Sequence, residues 1–484
     1  MKEKPWYKPK AFTHLTRKLG FEDRSWIENF ISDHDKIRIH KFYPLVHRTI
    51  VVPRYKKVGV GTNGKPIKKH FEIKEEKRFT TAKYREIYYP NHLDAHIYSY
   101  YTKNILEPLY EEELKKDKAL NESVIAYRRI QVANQDRCKS NIDFANEIFD
   151  EIKRTKGETA VLALDISKFF DSLDHKLLKQ AWSKLLNRKD LPPDHYNLFK
   201  SLTQFNFVEM KDLLKEFGFK HPNQLIQKDI SHFIKNGVEF RTRIKEKGLL
   251  KKNSFRKKCE NEEIKVVGIP QGTPISAFLA NLYLLEFDKK AIELLKPSNG
   301  IYRRYSDDIF IICPRGVHSE IESEIYSLIA KNFLLEIQPT KTQRTFFING
   351  RLEKGEKPVN YLGFQFDGNR KLLKSASVSK FYRKMKRAVG YRASRAIVAK
   401  QKLNRGTNVD VTLHRKQLYK QFSFLGAKMV KKKKRNYFSY AYFAARVMNS
   451  PHIKKQLSKA WSILHTEIQR SEKKYKIPTI GTKK

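Results

Sequence analysis

Short apolar stretches broken by acids or by Gly/Pro punctuation organise the middle of the chain. Residues 301–312 read I-Y-R-R-Y-S-D-D-I-F-I-I, with β-favouring residues on both sides of the adjacent carboxylates Asp307 and Asp308. That pattern predicts two short strands with the acids at the turn between them. The run Ile309 to Ile312 should be buried, which sets the acids at the mouth of a buried strand pair. Taken alone, a solvated hairpin tip would read the same way, because Asp tolerates turn geometry. A second apolar run, Val161 to Leu164, ends in Asp165 and is followed by Ile166. It predicts a buried strand whose last residue emerges at a site. Asp174 to Trp182 has helical apolar spacing and an acidic first turn, so a helix follows that strand. Residues 268–284 form a Gly/Pro-punctuated loop running into an apolar helix. There Gln271 offers both donor and acceptor groups, and Gly272 allows close backbone approach to a ligand.

Elsewhere the pattern is less specific. Residues 1 to about 75 are mixed aromatic and basic. Within them, residues 56–69 carry Gly59, Gly61 and Gly64 among lysines and predict a β-hairpin tip or loop. Phosphate-loop spacing and a following helix are both missing there. His92 to Leu106 has helical periodicity. Residues 211–262 form a Lys-rich stretch. Lys380 to Ala388 is a strongly basic helical segment. The run Lys431 to Arg435 precedes Tyr437 to Arg446, and helices continue to Thr466 with a break at Pro451.

Chemistry enters through the combination of acids. Hard divalent cations take carboxylate oxygens, and Asp165, Asp307 and Asp308 together would hold two Mg²⁺ ions, with Mn²⁺ as a substitute. Such a pair stabilises the attacking and leaving oxygens of an in-line displacement at phosphorus. Charge sharpens the picture. The chain has 484 residues, 99 Lys+Arg against 52 Asp+Glu and a formal net charge of +47. That excess calls for a polyanion partner, most simply nucleic acid, with steep salt dependence. No apolar run of about 18 residues is present, which argues against a membrane partner. Cys138, Cys259 and Cys313 make no metal motif or disulfide framework, which fits a reducing cytoplasm. The opening residues have no apolar core of a secretory signal. From Lys371 onward only Asp410, Glu467 and Glu472 are acidic, too few for a ribonuclease H centre.

The stretches D-I-S-K-F-F (165–170), G-I-P-Q-G-T-P-I-S (268–276) and Y-S-D-D (305–308), in that order, resemble motifs A, B and C of reverse transcriptases. Leu334 to Thr342 resembles their motif D and Tyr361 to Phe364 their motif E. The resemblance covers about residues 75 to 370. It implies an α+β right-hand polymerase with fingers, a palm built on an antiparallel sheet, a helical thumb and a basic helical C-terminal region. The implied divisions are an N-terminal extension (1–75), fingers (76–160), palm (161–370, with an insertion at about 211–262) and thumb (371–484). Asp165, Asp307 and Asp308 become catalytic metal ligands, with backbone help from Ile166. Phe170 becomes the steric gate that rejects a ribose 2′-hydroxyl. Since Phe169 and Phe170 cannot both face the site, one of them belongs to the core. Gln271 and Gly272 would pack on the incoming nucleotide, and Lys341 would lie near its triphosphate, where a cation helps pyrophosphate leave. Arg85, and less well Lys83, match the fingers residue that contacts the triphosphate. Arg128 and Arg129 would touch template backbone. Lys384 and Arg387 belong to the basic helix expected to track nucleic acid through its phosphates.

The implied function is RNA-directed DNA synthesis from dNTPs, copying a non-coding RNA template into cDNA. Within the family the chain looks most like bacterial defence-associated reverse transcriptases, the unknown-group and abortive-infection set, which act against phage. A retron or group II intron type remains an alternative, as does a catalytically idle RNA-binding scaffold. Primer and oligomeric state, including a homo-oligomer, stay open.

Overall fold

The computed structural model describes residues 6–53, 56–60, 66–69, 71–74, 77–258, 264–403, 412–429 and 436–477. Its centre is a five-stranded antiparallel sheet. The order is Ile301–Tyr305, Asp308–Pro314, Glu158–Asp165, Gln343–Ile348 and Arg351–Leu352. The two middle strands read as unbroken apolar runs because both faces of the sheet are covered. Leu162, Leu164, Ile309 and Ile311 point into one core with Leu178, Trp182, Phe287 and Ile325 of helices. Val161, Phe310 and Ile312 point into the other, with Phe149, Phe347 and Phe366. The helix expected after Asp174 is His175–Leu185, and Asp174 stands before its first turn as the N-cap, accepting the Leu177 N–H at 3.0 Å.

A second sheet runs Ala82–Tyr89, Leu45–Pro53, Asn206–Glu209, Lys251–Lys252. It therefore joins the stretch expected as an N-terminal extension, the expected fingers and the expected insertion. The helices Met210–Glu216 and Pro222–Gln227 account for part of that insertion. They share a small core with the chain's beginning: Leu15, Val46, Leu213, Leu225, Phe233 and Ile244. Main-chain bonds from Phe233 N–H to the His14 carbonyl (3.0 Å) and from Ile234 N–H to the Leu15 carbonyl (2.9 Å) tie the two together. The hairpin over residues 56–69 is present as Lys56–Val60 paired with Pro66–Lys69. Its connection, with Gly61 and Gly64, lies outside the described residues, as do Cys259, Asp410 and the run Lys431 to Arg435.

Beyond the central sheet a three-stranded sheet, Val359–Tyr361, Phe364–Phe366 and Lys371–Leu373, leads into the long helix Ser375–Leu403. Phe381, Met385, Val389, Ala393 and Ala396 make its buried stripe, while Lys384 and Arg387 face solvent. Helices Arg415–Phe422, Tyr437–Val447 and Ala460–Tyr475 cover that stripe through Leu418, Phe422, Phe438, Ala441, Leu464 and Ile468. Pro451 opens the short helix Pro451–Lys455, where a missing N–H costs nothing. Among the described residues no helix is long and apolar enough to cross a membrane.

Candidate active site

The three aspartates converge at one end of the central sheet. Asp308 is the first residue of its strand and lies directly opposite Asp165, the last residue of the neighbouring strand. Asp307 occupies the two-residue turn before it, with Ser306 in the left-handed region at φ 60°. The Ile166 N–H donates to the Asp307 carbonyl at 3.0 Å, which extends the pairing past the strand ends and fixes the turn against motif A. Like charges placed opposite each other on adjacent strands repel. Loss of surrounding water, then the charges of Asp307 and Asp165, push the Asp308 carboxyl up to about 6. The Asp307 carboxyl is raised chiefly by burial and further by Asp165, against the pull of Lys83 and Lys341. Lys341, on a short helical turn, places its ammonium on Asp165 Oδ2. Among the described residues no three His, Cys, Asp or Glu groups close around a point that would hold a metal ion in this arrangement. The donor chemistry nonetheless fits one: carboxylates raised by burial, and further by one another, beside an ammonium counter-charge are what a hard divalent cation would relieve.

Two loops complete the cleft. Motif A turns after Ile166 into the helical turn Phe169–Ser172, which resolves the choice between the two rings. Phe169 is core, at 4% exposure, and Phe170 is half-buried. The Phe170 carbonyl accepts the Ile269 N–H at 2.8 Å, and the Leu173 carbonyl accepts the Gly268 N–H at 2.7 Å. Motifs A and B are thus hydrogen-bonded to each other. The Gln271 carbonyl in turn accepts the Tyr88 N–H at 2.8 Å. Gly272 has φ 119°, and a Cβ there would stand 2.6 Å from the Tyr88 carbonyl and 2.9 Å from Ile87 Cγ2. The backbone of Gly272 thus makes a close approach to the strand Ala82–Tyr89.

The model of the reverse transcriptase (RNA-dependent DNA polymerase) family matches residues 68–366. The chain belongs to the reverse transcriptase family. The fold is the α+β right hand that the motifs implied. No curated protein matches it. Among solved structures it is similar to an apo telomerase from Candida Tropicalis truncated from its C-terminal domain. That match has 12% identity, 71% of this chain, 58% of that one and a TM-score of 0.39. It is also similar to a telomerase from Candida albicans in complex with a TWJ fragment of telomeric RNA. Identity there is 11%, over 94% of this chain and 68% of that one, with a TM-score of 0.37. The chain thus spans under two thirds of the length of the first of these.

The basic residues of this reverse transcriptase divide by what they touch. Lys83 is one of the charges acting on Asp307, and Arg85 lies two residues along the same strand, exposed. Lys374, which motif reading did not single out, acts on Asp308 from the end of the last small strand. Arg129, Lys384 and Arg387 are exposed. Arg128 is a correction. Its Nε and Nη2 hold Glu111 at 2.8 and 2.7 Å, Nη1 reaches the Asn121 and Val124 carbonyls at 2.7 Å, and Nη2 reaches Asn121 Oδ1 at 2.6 Å. All five N–H donors are engaged within the fold, so none is left for template phosphate.

Sequence reading also missed what lies behind the Y-S-D-D turn of this reverse transcriptase. Arg304 and Asp288 are both wholly buried and form a bidentate pair at 2.7 and 2.6 Å. Tyr302 donates its hydroxyl to Asp288 at 2.6 Å. Arg304 Nη1 also reaches Asn281 Oδ1 at 3.0 Å and the Ser306 carbonyl at 3.2 Å. Asn281, on the motif B helix, donates Nδ2 to the Ala126 carbonyl at 2.8 Å. A signal existed. Period 2 puts Tyr302, Arg304 and Ser306 on one buried face. Helical spacing puts Asp288 among Leu285, Ala291 and Leu295. A charge on each of two apolar faces predicts a mutual pair.

Proposed function

We propose that this protein copies an RNA template, a cognate non-coding RNA, into cDNA by two-metal nucleotidyl transfer. The observation that carries the reading is the opposition of Asp165 and Asp308 with Asp307 in the intervening turn, ringed by Lys83, Lys341 and Lys374. Asp165, Asp307 and Asp308, with the Ile166 main chain, would hold two Mg²⁺, or Mn²⁺ in its place. Bound there, the metal supplies the positive charge that in-line attack on the α-phosphate of a dNTP requires. Lys341, already beside Asp165, swings to the triphosphate and steadies the leaving pyrophosphate. Lys83 and Arg85 approach the same phosphates from the fingers. Phe170 closes the sugar pocket against a 2′-hydroxyl, and Gln271 braces the base pair being formed. Arg129, Lys384 and Arg387 hold template and product through phosphates.

Its motifs and its basic helical extension support reading the chain as a bacterial defence-associated reverse transcriptase that acts in the cytoplasm against phage. The test uses protein purified from its host with any bound RNA. Mg²⁺ and labelled dNTPs are added, and both nucleic acids are sequenced. DNA complementary to one retained, non-coding RNA supports the reading. Products matching many unrelated RNAs overturn the cognate template and the defence assignment with it.

A further inference from the structure

We propose that Tyr127 is a positioning residue of this polymerase, whose hydroxyl keeps the catalytic turn in its left-handed conformation. The inference rests on the polymerase reading above and names a residue that motif comparison leaves without a role.

Ser306 is the strained point of the site. It sits at φ 60°, is only 4% exposed, and immediately precedes Asp307 and Asp308. A residue with a Cβ enters that region at a cost in free energy, and glycine does so freely. Something must hold Ser306 there, and two bonds from different parts of the chain do so. Arg304 Nη1 donates to its carbonyl at 3.2 Å. Tyr127 donates its hydroxyl to Ser306 Oγ at 3.1 Å. The Tyr127 bond is the one that arrives from the fingers side.

Tyr127 is itself fixed. The Ile125 N–H donates to the Arg304 carbonyl at 3.2 Å, and the Ala126 carbonyl is held by Asn281. Tyr127 then takes φ 62°, which turns its ring back over Tyr305 with centroids 6.4 Å apart. Two left-handed residues, far apart in sequence, thus meet hydroxyl to hydroxyl beside the metal ligands. The exposed part of the Tyr127 ring forms the wall of a groove of about 600 Å³, lined also by Lys103, Glu107, Glu111, Lys115, Arg129 and Phe278. Lys103 pairs with Glu107 and Arg128 with Glu111, while Lys115 and Arg129 beside the Tyr127 and Phe278 rings suit a nucleic-acid strand. A strand seated there presses on the ring that holds the turn, so occupancy of the groove and alignment of Asp307 are linked through one hydroxyl.

Single-turnover dNTP incorporation on a defined RNA template tests this with Tyr127→Phe, Ser306→Ala, Ser306→Gly and the double Tyr127→Phe/Ser306→Gly. Tyr127→Phe should slow the chemical step roughly fivefold, the worth of one hydrogen bond, with KM for dNTP unchanged. Ser306→Ala should slow it similarly, because alanine keeps the Arg304 bond to its carbonyl but loses the Tyr127 bond. Tyr127→Phe should cost nothing further in the Ser306→Gly background, whatever rate that background sets, because glycine takes the left-handed turn without the bond. As a readout independent of activity, 3-fluorotyrosine placed at position 127 should give a ¹⁹F resonance that moves on Ser306→Ala substitution. The inference is overturned by Tyr127→Phe running at the parent rate, by an equal loss in both backgrounds, by a loss confined to KM, or by an unmoved resonance. If the parent itself makes no DNA, the polymerase reading falls and takes the inference with it; the parent lane tells the two failures apart.

Discussion

Arg304 offers the sharpest test of how the site is held. Its guanidinium and the Asp288 carboxylate are both fully buried, so each depends on the other for compensation. Replacing Arg304 by Met leaves Asp288 with only the Tyr302 hydroxyl as a polar partner. Breaking one side of a buried pair costs about 3–5 kcal/mol, because a charge is stranded in a low-dielectric interior. Against a typical total of about 5–15 kcal/mol this is a large share. The variant Arg304→Met/Asp288→Leu/Tyr302→Phe removes every charge and the donor that served them. It should recover at least about 2 kcal/mol of the loss, since apolar replacements of buried pairs are often neutral. Equilibrium urea unfolding measures both values, with an unchanged slope confirming that the midpoint reports stability. The same variants separate folding from positioning. Synthesis should stay low in the triple variant even where stability returns, because the Ser306 carbonyl has lost its Arg304 donor. A single variant that costs less than about 1 kcal/mol, or a triple variant no more stable than the single, would refute the reasoning.

Three further outcomes are expected. The Asp308 carboxyl titrates near 6, above its unfolded value, so between roughly pH 4 and 6 the folded state binds the extra proton and metal-free stability falls as pH rises. A cation must displace that proton, so apparent Mg²⁺ affinity measured by titration calorimetry should fall roughly tenfold per pH unit below about 6 and level off above it. Gly272→Ala must push a Cβ into the Tyr88 carbonyl at 2.6 Å from an unfavourable φ, and should lower stability by about 1–3 kcal/mol in a denaturation assay. Arg128→Ala should lower stability yet leave the salt dependence of RNA binding unchanged, whereas Arg129→Ala should leave stability intact and reduce the slope of log K against log salt by about 1.

Much of the site was legible because its residues lie at the ends of unambiguous strands. The apolar runs before Asp165 and after Asp308 have one structural reading once both faces of the sheet are covered, and the turn between Tyr305 and Asp308 follows from spacing alone. The helix after Asp174 was likewise periodic enough to read, and the basic helical segment Lys380 to Ala388 lies within the helix Ser375–Leu403. What escaped depends on pairing across distance. Nothing local to Arg128 distinguishes a guanidinium held by Glu111 from one held out to template. Nothing near Gly272 names Tyr88 as the backbone it approaches. Residues 1–75 and 211–262 looked like separate additions because the sheet joining them is assembled from Leu45–Pro53, Asn206–Glu209 and Lys251–Lys252, strands too far apart in sequence to signal one another.

The most direct measurement of the central assignment is primer extension on one RNA template, with dNTPs or NTPs, by the parent protein and by Asp307→Asn. Asp307→Asn keeps the shape of the turn and removes one charge from the metal-binding set. Mg²⁺-dependent DNA synthesis by the parent, with NTPs excluded and synthesis by Asp307→Asn lowered at least a thousandfold (~4 kcal/mol of transition-state stabilisation), is the expected result. Equal extension by Asp307→Asn, or extension with NTPs in preference to dNTPs, would contradict it.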